Sequence, residues 1–360
     1  MKRFLAILAI ATAACSLPEQ KETAAAETWE TGPFEKADSL NPILLPDSGQ
    51  AFICPVTGQL VKWESRNVLN PTAVIKDGKV YLLYRAQDSA MTSRIGLAVS
   101  EDGVHFTKQP SPVFYPAKDS MNVFEWKGGV EDPRLAEDAV GRYILTYTAY
   151  DGKIARLCLA TSTDLLHWQK HGPVLGTGKY KNTWSKSGAI VVRQSGEKLI
   201  AEKINGKYWM YFGDTQLFMA YSEDLIHWTA CENEENGELI KVLSPRPGKF
   251  DSRLVESGPY ALLKDDGIIL IYNGSNAANF NDPLLPRFTY SAGQALFDKN
   301  LPYKLIDRSE HYFIHPDKPY ERTGEVNEVC FVEGLVRFHN KWFLYYGTAD
   351  SRIAVAVSEK

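Results

Sequence analysis

Cysteine is scarce in this chain: five among 360 residues, with no C-x-x-C pair. That removes zinc-ribbon and dithiol redox sites from consideration. Neither charge is in excess, since 40 Lys and Arg face 44 Asp and Glu for a net charge of −4. The electrostatic footprint of a nucleic-acid or anionic-membrane binder is therefore missing, and no nucleic-acid partner is expected. Apolar runs are short as well. The longest, Phe4–Ala14, has the length of a signal sequence and is too short to span a bilayer. Stretches with helical apolar periodicity are nearly missing. What is abundant is aromatic: 18 Tyr, 16 Phe and 8 Trp, a composition that favours strands. Hydrophobic residues at 44% and charged residues at 23% place the chain in the ordinary globular range.

Lys2 and Arg3 precede the short apolar run, which ends in Thr12-Ala13-Ala14-Cys15. Small residues there suit an ordinary signal peptidase site, and the cysteine resembles a bacterial lipoprotein processing box. The expectation is a leader over 1–15 with lipidation at Cys15, and a location at the cell envelope. A polar tether over 16–40 follows, without periodic apolar pattern, and then a folded domain over 41–360. The membrane is touched only through that anchor. Cys54, Cys158, Cys231 and Cys330 read as core thiols, with one disulfide left open.

One strand-like phrase recurs along the chain. It begins at Gly78, Gly141, Gly206 and Gly267, roughly 60–70 residues apart, and returns a fifth time at Asn340. Each copy is rich in aliphatic and aromatic residues, as in Lys-Val-Tyr-Leu-Leu-Tyr-Arg-Ala over 79–86. A second phrase trails it, as Ile95–Phe106, Leu157–Trp168, Leu217–Trp228 and, truncated, Ile353–Glu359. Five such units with hardly any helix predict an all-β, five-bladed β-propeller, whose radial packing hides strand edges in a single large domain. The terminal strand is expected to complete a blade begun near residues 41–75.

The repeat also explains several conspicuous residues. His105, His167 and His227 hold one equivalent position in three units and read as turn and packing residues. Asp102, Asp164 and Asp224 read as hydrogen-bonding turn residues. The remaining histidines, His171, His311, His315 and His339, show no metal-ligand spacing. Neither a metal nor a cofactor is expected.

Function belongs where one unit departs from its siblings. The sharpest departure is Gly-Gly-Val-Glu-Asp-Pro-Arg-Leu at 128–135, where Glu131 and Asp132 are followed by a proline and by Arg134. Pro133 pushes Asp132 out of helical geometry, and paired glycines permit close approach of a ligand. The alternative is a surface turn held by a Glu131–Arg134 pair. Other unmatched polar groups recur near one end of successive strands: Asn70, Arg85, Asp88, Arg94, Lys186, Asp214, Glu256, Asp350 and Arg352. Together they would line a pocket with both charges and several hydroxyl-binding groups, as a sugar site requires. Trp126 and Tyr290 are candidates to stack on a sugar face.

Asn70-Pro71, Tyr84-Arg85-Ala86, Gly129-Val-Glu-Asp-Pro-Arg134, the Ser-x-Asp turns and Tyr346-Gly-Thr-Ala-Asp350 resemble glycoside hydrolase family 130 over roughly 41–360. The resemblance implies a five-bladed propeller acting on β-mannosides. It makes Asp132 the general acid, passing its proton through a hydroxyl of the bound mannose. Phosphorylases of the family carry a basic residue where this chain has Asp214, and a histidine where it has Asn273. Replacing two cations in this way disfavours a phosphate dianion. The resemblance therefore points to the hydrolytic branch, with Glu256 and Asp214 as candidates for the base that activates water. Asn70, Arg85, Asp88, Arg94, Glu131, Arg134, Lys186, Asn273, Tyr290 and Asp350 would bind the sugar. The expected activity is exo-acting, inverting hydrolysis of β-mannosides, β-1,2 in particular. A phosphorylase and a non-catalytic glycan-binding lipoprotein are the alternatives.

Overall fold

The computed structural model describes residues 29–359. The expected leader with Cys15, and residues 16–28 of the tether, lie outside the described residues. Helix is confined to two four-residue segments, Asn122–Glu125 and Pro319–Arg322, and one 3-10 turn at Gly178–Tyr180 among the described residues. Nearly everything else is strand and connection.

The strands form five successive antiparallel meanders. The first contains Asn67–Lys76, Lys79–Gln87 and Ser93–Ser100, and the second Gly129–Glu137, Tyr143–Tyr150 and Ala155–Ser162. The third contains Ala189–Ser195, Tyr208–Phe212 and Leu217–Ser222. The fourth contains Leu254–Ser257 and Ala261–Leu263, then Ile268–Ser275 and Tyr290–Phe297. The fifth contains Cys330–Phe338, Lys341–Thr348 and Arg352–Ser358. The first recurring phrase falls on the second strand of every meander. The second phrase falls on the third strand of all but the fourth.

Apolar faces of neighbouring meanders pack together. Leu83 and Ile95 of the first meet Val130 and Leu145 of the second. Tyr211 and Met219 of the third meet Val255 and Leu270 of the fourth. Val336 and Tyr345 of the fifth meet Val68 and Leu82 of the first. A larger cluster joins Ile144 and Leu157 to Ile190 and Met210, and Ile271 to Val332 and Leu344. Each such aliphatic side chain removed from water contributes about 1.5–3 kcal/mol.

A polar device is repeated inside this core. Tyr84, Tyr147, Tyr272 and Tyr346 each donate a hydroxyl to a buried carboxylate: Glu64, Glu125, Asp251 and Glu321, at 2.8–2.9 Å. Each carboxylate is paired in turn with a cation: Lys108, Lys170, Arg246 with Arg308, and Lys36. A buried charge needs such a partner and hydrogen bonds to be tolerated. In the third meander Tyr211 donates to the Pro302 carbonyl instead.

The N-terminal segment differs from expectation. Arg352–Ser358 is the third strand of the fifth meander; outside it lie Glu35–Lys36, with Glu35 opposite Val357, and Leu44, which bridges Ile353 within the expected segment. Residues 67–76 instead open a meander of their own. The stretch from 29 to 40, expected as tether, packs onto the fold. Trp29 is buried beside Ile269 and Leu296, and Lys36 reaches the buried Glu321 at 2.7 Å. Trp29, Phe34 and Ala37 pack on three different apolar clusters, so no local hydrophobic period reveals the attachment.

The Ser-x-Asp turns form as expected. Asp102 Oδ1 accepts the amides of Val104 and His105, and the same bonds recur at Asp164 and Asp224. The three histidines are exposed, each ring meeting its aspartate at 2.7 Å. They belong to turns and do not pack between sheets. Cys54, Cys158, Cys231 and Cys330 are all free thiols.

Candidate active site

Irregularities in the first strands of the meanders aim polar side chains at one place. A bulge between Leu69 and Pro71 turns out Asn70, and one between Glu131 and Arg134 turns out Asp132. A third, between Val332 and Gly334, turns out Glu333. Asn70, Asp132 and Ser187 take left-handed backbone conformations, at φ 47°, 49° and 59°. Bulges of this kind re-aim side chains, and non-glycine residues in that region store local strain at functional sites.

Gly129 shows why the 128–135 phrase needs its glycines. Its φ is +107°, and a Cβ there would sit 2.2 Å from the Ser93 carbonyl oxygen. The amide of Ser93 donates to the Gly128 carbonyl at 2.8 Å. The close approach is made by the neighbouring strand of the protein itself, which locks Glu131 and Asp132 against the first meander. A ligand contact was the expectation from the sequence.

Asp132 lies at the centre, 2% exposed. Its Oδ1 accepts from Asn70 Nδ2 at 2.8 Å and from Arg85 Nη1 at 3.0 Å, and Lys186 Nζ stands 3.5 Å from its Oδ2. Arg85 also donates to Glu131 at 2.6 Å and to Ser93 Oγ at 2.9 Å. Lys186 reaches Glu256 Oε1 at 3.1 Å, and the Ser187 hydroxyl donates to the same oxygen. Through Lys186, the facing oxygens of Asp132 and Glu256 can be no farther apart than about 6.6 Å, the sum of its two distances. Arg134 lies beneath both, donating to the carbonyls of Gly258, Ser257 and Asp132 at 2.7, 2.6 and 3.2 Å. Its Nη1 is 3.0 Å from Glu333 Oε1.

The electrostatics separate these carboxyls. Burial alone would raise Asp132, but Arg85, Lys186, the Asn70 hydrogen bond and Arg134 outweigh it and hold it well below the usual carboxylate range. Burial raises Glu131, Glu256 and Glu333 despite their cationic neighbours. Burial likewise pushes Asp350 up to about 6, against the pull of Arg85. The site thus holds one carboxylate whose charged form is strongly favoured beside several whose charged form is favoured less, a division used in acid–base chemistry.

The sequence candidates divide in three dimensions. Asn70, Arg85, Glu131, Asp132, Arg134, Lys186 and Glu256 meet directly, and Asp350 lies within electrostatic reach of Arg85. Tyr290 is close enough to Glu256 and Lys186 for both to act on its hydroxyl. Asp214 stands at the edge, half-buried, accepting the Trp184 indole N–H at 2.9 Å. Four candidates go elsewhere. Asp88 and Arg94 form their own buried pair at 2.8 Å, with Arg94 over the Phe52 ring, because Arg94 follows Ser93 on the strand and faces the opposite side. Asn273 brackets Val332, donating to its carbonyl at 2.9 Å and accepting its amide at 2.8 Å, so both ends of its side chain are committed to the fold. Trp126, half-buried, packs against the core cluster around Cys54 and Tyr84 and, among the described residues, has no hydrogen bond or ring contact with the cluster around Asp132. Glu333, Ser93 and Ser187 escaped the sequence reading. For Glu333 the available signal was an acidic residue before a glycine, flanked by apolar residues in the strand Cys330–Phe338.

A family model described as beta-1,4-mannooligosaccharide phosphorylase matches residues 55–360. A 1,2-beta-oligomannan phosphorylase of Thermoanaerobacter sp. (strain X514) is 30% identical over 309 residues, which is 83% of this chain and 92% of the relative. A solved structure from Parabacteroides distasonis ATCC 8503 is 46% identical, with a TM-score of 0.90 over 92% of this chain and 98% of its own. Another, 43% identical with a TM-score of 0.91 over 92% and 95%, bears the statement that "the GH130 family of mannoside phosphorylases contains glycoside hydrolases that target beta-1,2 mannosidic linkages in Candida mannan".

Proposed function

The chain belongs to glycoside hydrolase family 130, and is thus an enzyme acting on mannosides; from that premise we propose that it transfers the mannosyl group to water. The reading is an exo-acting, inverting β-mannosidase, with β-1,2 linkages as its substrate. The observation that carries it is the charge balance around Asp132. Among the described residues, the three cations that touch the cluster, Arg85, Arg134 and Lys186, are each already engaged by a carboxylate. Glu131, Asp132, Glu256, Glu333 and Asp350 outnumber them, and Asp214 adds a further acid at the edge. Such a site repels a phosphate dianion and suits a neutral nucleophile.

In this reading Asp132 is the general acid, acting through a hydroxyl of the bound mannose. The step requires Asp132 to take up a proton first, which it gives to that hydroxyl as the hydroxyl gives its own to the glycosidic oxygen. A sugar that displaces water strengthens the burial contribution and moves Asp132 toward protonation. Glu256 and Asp214 activate the water. Direct inversion wants carboxylates ~6.5–9.5 Å apart, and the Asp132–Glu256 pair lies at or below the short end of that range. A proton relayed through the sugar relaxes the requirement, and Asp214 offers a more solvent-accessible base. Asn70, Arg85, Arg134, Lys186 and Asp350 orient the sugar.

A five-bladed propeller accounts for the ring of contacts around the site. Asn70 joins the first meander to the second, and Thr146 donates to Gly188 between the second and third. Ser187 meets Glu256 between the third and fourth, Asn273 meets Val332 between the fourth and fifth, and Val68 donates to Ser351 back at the first. With a lipid on Cys15, the enzyme would sit at the cell envelope.

A phosphorylase is the second reading, favoured by the phosphorylase relative from Thermoanaerobacter. The discriminating experiment incubates the protein with β-1,2-mannobiose, with and without inorganic phosphate, and identifies the products. Free mannose formed equally in both supports hydrolysis. Mannose 1-phosphate formed only with phosphate overturns it. Binding without turnover in either would indicate a non-catalytic glycan receptor.

A further inference from the structure

We infer that Glu333 is a positioning residue of the mannoside reaction, seating Arg134 so that one guanidinium ties the backbone of the acid to the strand of the base. The inference rests on the function proposed above for Asp132 and Glu256.

Glu333 is completely buried, and Arg134 Nη1 lies 3.0 Å from its Oε1. That approach is not aligned as a hydrogen bond, and neither carboxylate oxygen has a hydrogen-bond partner among the described residues. A buried carboxylate that is only ion-paired is costly for stability, so its retention calls for another reason. Its direction is enforced from both sides. On one side the Asn273 amide holds both the N–H and the carbonyl of Val332. On the other, Gly334 presses on the first meander so closely that a Cβ would lie 2.9 Å from the Pro71 carbonyl oxygen. The bulge therefore cannot relax to turn Glu333 outward.

Arg134 is what Glu333 holds. Its remaining donors reach the carbonyls of Asp132, Ser257 and Gly258, which flank the acid and the base. Glu256 is its next carboxylate, at 4.0 Å. With Glu333 in place, the guanidinium charge is balanced at Nη1, while Nη2 is the nitrogen that approaches Glu256. Without that charge, Arg134 is left to act on Glu256 and Asp132, and an uncompensated cation favours their ionised forms. Small displacements of such groups are costly to rate because the reacting atoms must be held in register.

The test compares Glu333→Gln and Glu333→Asp with the wild type, measuring kcat, KM and the pH profile of mannobiose cleavage. Glu333→Gln is expected to lower kcat about 10–100-fold with KM within about threefold, and to move the pH profile toward lower pH by about half a unit or more. Glu333→Asp, which restores the charge, is expected to return the profile to its wild-type position even if kcat stays reduced. A wild-type kcat and pH profile in folded Glu333→Gln overturns the inference. Should Glu333→Gln fail to fold, the Glu333→Asp profile decides, and a displaced profile in that variant overturns the inference. Should the wild type cleave no mannoside, it is the proposed function that fails. A crystal structure of Glu333→Gln or Glu333→Asp then decides the present inference. Arg134 shifted off the Ser257 and Gly258 carbonyls supports it, and Arg134 unmoved overturns it.

Discussion

Asn70 Nδ2 and Asp132 Oδ1 meet at 2.8 Å across two meanders, and both residues are held in the left-handed region by bulges in their strands. Asn and Asp tolerate that conformation better than other side chains, because their short polar groups can satisfy nearby backbone. The acid and its hydrogen-bond donor are thus presented by the same local distortion in two successive units.

Asp132→Asn keeps the volume and the backbone preference while removing the transferable proton. Turnover of β-1,2-mannobiose is expected to fall by at least ~10²–10⁴-fold, the usual contribution of a general acid. The melting temperature should stay within a few degrees of wild type. A rate near wild type would remove Asp132 from the mechanism.

Gly129→Ala tests the seam between the first two meanders. The new methyl would fall 2.2 Å from the Ser93 carbonyl oxygen at a φ of +107°, so the backbone must move. A loss of about 2–4 kcal/mol in denaturant unfolding is expected, through the combined strain and overpacking. Activity should fall further than stability explains, because Glu131 and Asp132 ride on the displaced strand. Unchanged stability would mean that the seam is loose.

Asp350 sets a pH window. Its folded value of about 6 lies above the ordinary 3.8, so the folded state favours the protonated form. Its contribution to stability is fully present below 3.8 and is lost as pH rises through about 6. Asp350→Asn should therefore flatten the decline in stability across that interval, by up to about 3 kcal/mol. Thermal melts of both proteins at stepped pH read this directly, and parallel curves would contradict it.

Lys170 and Tyr147 separate the parts of the repeated buried device. Tyr147→Phe removes one neutral donor from Glu125 and should cost about 1–3 kcal/mol. Lys170→Met leaves Glu125 buried without its cation and should cost about 3–5 kcal/mol. The ordering matters more than the sizes. A larger loss for Tyr147→Phe than for Lys170→Met would show that the hydroxyl, and not the ion pair, carries the device.

Much of this was legible without coordinates because it is local. An apolar and aromatic phrase marks the second strand of all five meanders, opened by a glycine in four and by Asn340 in the fifth, and the Ser-x-Asp turns close on their own backbone. The phrase around Asp132 stands out because it breaks the repeat, and Arg85, Lys186 and Glu256 were found by the same contrast. The tertiary structure decided which way several side chains face. Strand residues alternate between two sides, so a bulge of one residue reverses everything beyond it. That reversal brings Glu333 inward from an apolar strand, and strict alternation turns Arg94 to its partner Asp88 on the side opposite Ser93. Asn273 likewise serves the fold because its neighbour across the seam is Val332, a pairing 59 residues distant in the chain. Local patterning determines where strands run and which residues are unusual. Bulges and long-range pairing determine which of those residues share a site, because both depend on packing between units that no short stretch of sequence contains.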